Sequence, residues 1–388
     1  MIEKRKYQSA ILNSMAILPK IIYASSESDS DQYYATHFLA PDRFLYVEKN
    51  GKGTAFVSEL EYSRAKREAK CKVELMPKPP AQKSKAKPKS ISIIAQILKS
   101  QGIRKASAPY NFPLGLAQRL SSNGIKIDAK PTSPFFDNRA IKSKKEISCI
   151  AESQEYAQQA IELAMGIISH AIVDAETGKL LLEGKVLTSE ELRGRMSAFL
   201  SKHGFEPNNP IVSCGKSTAY AHDNGFGPIF AHQPIIMDVF PRHATTRYFG
   251  DVTRTVVKGE PTKEFSRLYE AVRQAQEQAL DLVCEGCTGD EIHNKVKSVF
   301  VGAGFENIFG KSGTFGFTHS TGHGVGLDIH EEPRVASGCG PLKAGNVITI
   351  EPGLYYQKIG GARIEDTVVV TKKGCDNLTR LGKELTVL

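Results

Sequence analysis

Between residues 147 and 168, apolar side chains recur at Ile147, Ile150, Ala157, Ile161, Ala164, Met165 and Ile168, mostly in three- and four-residue steps. That period is the apolar stripe of a long helix laid on a core. The pattern before it is different. DRFLYVEK, GTAFVS and ISIIAQIL are short apolar stretches read as strands, and the charged segment ELEYSRAKREAK is helix-prone. Their alternation predicts a small α/β domain. SPFFDNRAIKS, residues 133–143, reads as the connection, so the expected domains are 1–137 and 138–388.

The pattern of the second part occurs twice. TSEELRGRMSAFLSKHGFE (188–206) and TGDEIHNKVKSVFVGAGFE (288–306) align without a gap at an offset of 100 residues. Each opens with the elements of a capping box, Thr188 with Glu191 and Thr288 with Glu291, in which side chains satisfy otherwise unpaired helix amides. Each carries its apolar residues on one face and stops at the glycine of GFE. After GFE the first copy runs through His222 into PIIMDVF, with Asp238, and returns through GDVTRTVV, with Asp251. The second runs through His323 into NVITIEPGLYY, with Glu351, and returns through ARIEDTVVVT, with Glu365. Each half thus predicts a β-hairpin carrying two carboxylates, 13 residues apart in one and 14 in the other. Two such halves about a pseudo-twofold bring four carboxylates to one centre.

Composition changes this picture only at its edges. Residues 1–140 hold 24 Lys+Arg against 12 Asp+Glu, hence +12; the remainder holds 27 against 30, hence −3, which sums to the net +9 of the chain. The contrast supports two domains with different tasks. Much of the basic excess lies in PKPPAQKSKAKPKS, residues 77–90, read as a solvated loop because it lacks the interleaved aromatics of a nucleic-acid surface. Seven scattered cysteines make no disulfide framework, and Cys284 with Cys287 form a single CxxC at a helix end, read as structural. There is no apolar run long enough to span a membrane and no secretory pattern at the start, so the cytoplasm is expected.

A carboxylate within an apolar strand needs a partner, because an unpaired buried charge is prohibitive. Four in repeated positions, together with one imidazole, form an oxygen-rich donor set for manganese, iron, cobalt or zinc. Four anionic ligands exceed the need of one ion; two divalent ions balance them and supply a water acidic enough to react near neutral pH. The stretch THSTGHGVGLDIHEEP, 318–333, holds His319, His323 and His330. It fits neither a phosphate loop nor a zincin motif. Its glycines are read as letting backbone and imidazole approach a buried ion closely.

The motifs HSTGHGVGLDIHE, MDVFPRHATTRYFGDVTRT, IEPGLYY and GGARIEDT resemble those of the pita-bread metallopeptidases: methionine aminopeptidases, aminopeptidase P and prolidase. The resemblance covers roughly residues 140–388, and the first part is more loosely similar to the creatinase/prolidase N-terminal domain. It implies an α/β N-terminal domain of that type and an α+β pita-bread C-terminal domain with internal pseudo-twofold duplication. It further implies that Asp238, Asp251, His323, Glu351 and Glu365 hold two divalent metal ions, manganese first, with Asp251 and Glu365 bridging. His222 and His330 are implied to contact substrate and steady the tetrahedral intermediate, and Glu351 to shuttle a proton.

Within that family His319 and Arg363 match the proline-directed branch and are expected to bind substrate. An Xaa-Pro bond is a tertiary amide with a fixed ring, so its site must recognise the ring and protonate the leaving nitrogen. The expected activity is therefore an Xaa-Pro aminopeptidase acting on peptides with proline second, with Xaa-Pro dipeptidase (prolidase) as the alternative. The span from Asp238 to Asp251 is two residues longer than the usual hairpin of the family, and His243 within it is read as a turn residue. His37, His170, His203, His232 and His293 are read as structural. A homodimer is implied by resemblance alone. The rivals are a metal-free creatinase-like C–N hydrolase, for which five intact ligand positions are not expected, and a non-catalytic binding module of the same fold.

Overall fold

The computed structural model describes residues 18–78, 90–310 and 313–387. Most of the lysine- and proline-rich segment 77–90 therefore lies outside the described residues. The chain divides into two compact units, Met1–Asp137 and Asn138–Leu388.

The first unit is built on six strands: β1 (Lys20–Ala24), β2 (Phe44–Lys49), β3 (Lys52–Val57), β4 (Lys72–Leu75), β5 (Lys105–Ala108) and β6 (Lys126–Ala129). They form one mixed sheet in the order β4-β3-β2-β1-β5-β6. Side chains alternate across a strand: Ile21, Leu45 and Val47 join one core, whereas Ile22 and Tyr46 join another with Phe135 and Phe136. The expectation that ISIIAQIL is a strand is overturned, because Ser90–Ser100 is an α-helix. Ile93, Ile94, Ile97 and Leu98 fall on one helical face and bury there against the sheet core. A short apolar run does not distinguish buried helix from buried strand by period alone.

In the second unit the long helix Lys144–His170 starts at a capping box between Ser143 and Glu146. It packs with Ser189–Lys202 against the strands Pro234–Val239 and Val252–Lys258. Helices Lys263–Leu282 and Gly289–Gly302 pack in the same way against Val347–Ile350 and Asp366–Val370. The repeat read from sequence is thus a repeat of structure, two helices on an antiparallel hairpin, twice over. Thr188 and Thr288 both cap their helices through the hydroxyl, but the reciprocal bond forms only at Thr288. Glu191 turns instead to Arg195 at 2.7 Å. Gly204 and Gly304 stop the two helices with φ of 85° and 82°, a conformation only glycine adopts freely.

Both carboxylate-bearing hairpins are present. Pro234–Val239 pairs antiparallel with Val252–Lys258, setting Asp238 opposite Thr253. Val347–Ile350 pairs antiparallel with Asp366–Val370, and the ladder resumes beyond Glu351 as Gly353–Tyr356 against Gly360–Arg363. The longer first hairpin uses its extra length to pair Arg242–His243 with Phe205–Glu206. His243 Nδ1 accepts from the amides of Thr245 and Thr246 at 3.0 and 3.2 Å, which makes it a turn residue. All seven cysteines are free. No helix among the described residues is long and apolar enough to cross a membrane.

Candidate metal centre and active site

Where the two hairpins meet, Asp251, His323 and Glu365 are all buried and each offers an atom within 4.8 Å of the others. His323 Nε2 lies 3.6 Å from Asp251 Oδ2 and 3.4 Å from Glu351 Oε1. Asp238 and Glu351 stand close enough to raise the pKa of both Asp251 and Glu365. The structure therefore gathers all five expected ligand positions from residues scattered between 238 and 365.

Three glycines make the approach of His323 possible. A Cβ on Gly322 would lie 1.9 Å from the Thr349 carbonyl, one on Gly324 2.5 Å from the Glu332 carbonyl, and one on Gly326 2.3 Å from the Glu331 carboxylate. None of these is a distance that a Cβ tolerates, so the GHGVG stretch is fixed by packing. The imidazole Nδ1 lies 3.2 Å from the Gly324 carbonyl, which takes the N–H and leaves the Nε2 lone pair turned toward the carboxylates. Burial, then His330, lowers the His323 pKa to about 3. The imidazole is therefore neutral, the form that can bind a cation.

The carboxylates show the opposite strain. Burial, then Glu365, Asp238 and Glu351, pushes Asp251 well above the usual carboxylate range. Burial, then Glu351 and Asp238, does the same to Glu365. Glu351 rises to about 8. Among the described residues, Arg363 is the guanidinium in contact with this group, donating to Asp238 Oδ2 at 2.7 Å. Four ionised carboxylates among the described residues would face Arg363 and a neutral imidazole, which would leave negative charge in a buried site. That donor set fits divalent cations and is hard to reconcile with any other occupant.

The backbone of Asp251 is held as firmly as its side chain. Gln154, fully buried on the long helix, accepts from its amide at 2.7 Å and donates to its carbonyl at 2.9 Å. Thr253 Oγ1 donates to Glu365 Oε2 at 2.8 Å. Arg363 also donates to the Tyr355 hydroxyl at 2.7 Å, and that hydroxyl lies 3.0 Å from His319 Nε2. His319 Nδ1 lies 2.8 Å from the Ser320 carbonyl. A chain of polar contacts thus runs from Asp238 through Arg363 and Tyr355 to His319, whose pKa burial and Arg363 lower to about 3.

His222 and His330 are exposed at the rim. The His330 ring stands edge-on to that of His323, with centroids 4.3 Å apart. Burial, then the nearby His222, lowers the His330 pKa.

Sequence reading missed several of these partners. Gln154 carried a signal, because it interrupts the buried stripe four residues after Ile150. Tyr355 and Thr253 carried none beyond lying in the hairpins. Arg334, an exposed guanidinium whose charge bears on both His323 and His330, carried none. His293, read as structural, bonds Thr321 Oγ1 at 2.9 Å and so braces the segment leading to His323.

A duplicated α+β scaffold that buries an oxygen-rich donor cluster between its halves defines a site for divalent metal. The chain belongs to metallopeptidase family M24, whose sequence profile matches residues 148–372. It is 33% identical over 336 residues to the Xaa-Pro dipeptidase of Pyrococcus horikoshii, covering 86% of this chain and 85% of that protein. It is 31% identical over 345 residues to the Xaa-Pro dipeptidase of Pyrococcus furiosus, covering 88% of each. The crystal structure of the prolidase from Pyrococcus horikoshii superposes with a TM-score of 0.78 at 28% identity over 99% of both chains. The protein is a metallopeptidase with a pita-bread second unit and a creatinase/prolidase-type first unit.

Proposed function

We propose that this metallopeptidase hydrolyses the bond between an N-terminal residue and proline, with residues 138–388 as the catalytic domain and 1–137 as the N-terminal domain. The single observation that carries the reading is the buried cluster of Asp251, His323 and Glu365, flanked by Asp238 and Glu351. These five side chains would hold two divalent ions, manganese first, with cobalt, zinc or iron as the other candidates. When bound, such ions polarise a carbonyl and make water a nucleophile near neutral pH.

The rest is the work of the chain itself. His222 and His330, both exposed, are the side chains available to offer N–H donors to the oxygen that gains charge as the carbonyl becomes tetrahedral. Glu351 retains 15% side-chain exposure where Asp251 retains 5%. Asp238 is similarly exposed at 13% but is engaged by Arg363 at 2.7 Å, so Glu351 is the carboxylate best placed to pass a proton to the leaving proline nitrogen, which has no hydrogen of its own. His319 and Arg363, locked by Tyr355 and Asp238, form a rigid wall beside the reacting bond.

Of the two forms of the activity, the dipeptidase has specific support. The curated relatives that match most of the chain are named Xaa-Pro dipeptidases, and Arg334 provides an exposed cation next to His330 for the free carboxylate of a dipeptide. Purified protein, analysed for metal and assayed on Xaa-Pro dipeptides and their C-terminal amides, tests this. Metal-dependent cleavage of the free dipeptides is expected. Arg334→Met should raise KM for them by roughly 10- to 100-fold, as for loss of a charged hydrogen bond, and leave the amides unaffected. Stoichiometric metal without cleavage of any Xaa-Pro substrate would end the proposal. The resemblance that suggests this activity also suggests a cytoplasmic homodimer.

A further inference from the structure

Between the strands Gly322–Gly324 and Glu331–Val335, the segment 325–330 turns without a strand of its own. It carries His330 at its end. No hydrogen bond among the described residues holds the His330 ring, which is exposed and touches the ring of His323 edge-on. The ring therefore stands where its backbone puts it. What holds that backbone decides where the imidazole points.

The holder is an ion cluster on the far side of the next residue. Glu331 Oε2 accepts from Arg139 Nη2 at 2.7 Å, and Glu331 Oε1 accepts from Lys142 Nζ at 2.5 Å. The same Arg139 Nη2 reaches Asp328 Oδ2 at 2.7 Å, within the turn itself. The side chains of Arg139, Lys142 and Glu331 are 2%, 1% and 2% exposed. Both carboxylate oxygens are engaged by different cations, so the group has no rotational freedom. Gly326 is packed directly against this carboxylate, leaving no room for a side chain. The Gly326 carbonyl also accepts from the Phe249 amide at 2.9 Å, two residues before the ligand position Asp251.

Stability is a poor reason for such a cluster. Desolvating two cations and a carboxylate offsets most of their attraction, and apolar residues of similar volume generally serve a fold as well or better. What a doubly anchored carboxylate supplies is a fixed position. We infer that Arg139 and Lys142 are positioning residues for His330, acting through the carboxylate of Glu331. The inference rests on the peptidase reading of the site and adds to it two residues more than 180 positions away in sequence.

The test is a double-mutant cycle on metal-loaded, full-length protein with an Xaa-Pro dipeptide as substrate. Lys142→Met keeps the length of the side chain and removes one anchor. It should lower kcat by roughly 10- to 100-fold, the penalty for misplacing a reacting group by a fraction of a nanometre, with KM and bound metal per chain unchanged. Arg139→Lys, which keeps the charge, should retain part of the rate. Because the cluster acts through His330, the double variant Lys142→Met/His330→Ala should be no slower than His330→Ala alone. Full activity in Lys142→Met, or losses that multiply in the double variant, overturns the inference. If Lys142→Met does not fold, Glu331→Gln replaces it in the same cycle with the same expected outcome. A wild-type protein that holds metal yet cleaves no Xaa-Pro dipeptide overturns the peptidase reading and this inference together; an active wild type with multiplying losses overturns this inference alone.

Discussion

Replacing Glu365 with Gln should abolish metal-dependent turnover and at the same time raise the melting temperature of the metal-free protein near pH 7. The two effects have one cause. Burial, then Glu351 and Asp238, pushes Glu365 well above the usual carboxylate range, so without bound metal its ionised form is a liability. The amide keeps an oxygen to accept from Thr253 and removes the charge. The loss of rate should be at least about 100-fold, the upper range for losing merely an outer-shell partner of a metal. The sign of the pH dependence follows from the same crowding. Glu351 titrates at about 8 in the folded site against an ordinary 4.5, and Asp251 and Glu365 are raised as well. Between about pH 4.5 and pH 8 the folded metal-free protein thus holds protons that the unfolded chain has released. Stability then falls as pH rises through that window, because the unfolded state binds fewer protons. Divalent metal compensates only when those protons have left. Calorimetry with chelator and with saturating metal should show a gap in melting temperature that widens from pH 5 to pH 8, and that shrinks in the Glu365→Gln protein. A gap that is constant with pH would sink the account of a proton-competing site.

The parts of this site that the sequence disclosed are those governed by short-range rules. Gly204 and Gly304 end equivalent helices because both helices obey the same capping chemistry, so the duplication was visible as a 100-residue offset. The four carboxylates stood out because they recur at equivalent places in the two halves, within or beside hairpin strands that are rich in apolar residues. ISIIAQIL failed on the same rules: its apolar run fits either period, and the contact of Ile94, Ile97 and Leu98 with the first sheet, which decides it, is tertiary. Glu331 is the instructive failure. It directly follows a predicted site histidine and looks like a solvated acid, yet it is buried, because its two cations come from a segment 189 and 192 residues earlier. Nothing local marks such a pairing. Tyr355 is similar: its hydroxyl joins Arg363 to His319 across strands whose register the hydropathy pattern leaves open.

Arg254→Met should destabilise the protein by about 3–5 kcal/mol, the range for breaking one side of a buried ion pair. Arg254 is among the largest fully buried side chains in the molecule. Its Nη2 donates to Asp366 Oδ1 at 2.8 Å and to the Leu381 carbonyl at 2.7 Å. Nη1 donates to the carbonyls of Thr253 and Glu365 at 2.9 and 2.7 Å, and Nε to that of Gly382 at 2.7 Å. One guanidinium thus ties the return strand of the first half to the return strand of the second, at the residues beside Asp251 and at Glu365 itself. Burial alone would raise the Asp366 pKa; Arg254 and Lys383 outweigh it and hold the carboxyl below its ordinary range. Methionine fills much of the volume but abandons four carbonyls and leaves Asp366 with Lys383 and Asn377 at 3.1 and 2.9 Å. If the penalty is that of a stranded charge, Arg254→Met/Asp366→Leu should recover a substantial part of it, as an apolar pair does elsewhere. If the carbonyls dominate, the double variant should be no better than the single. A single-variant loss below about 1 kcal/mol, the range of an exposed pair, in urea unfolding would show that the two halves are held together by their helices and not by this contact, and the alignment of Asp251 with Glu365 would then need another cause.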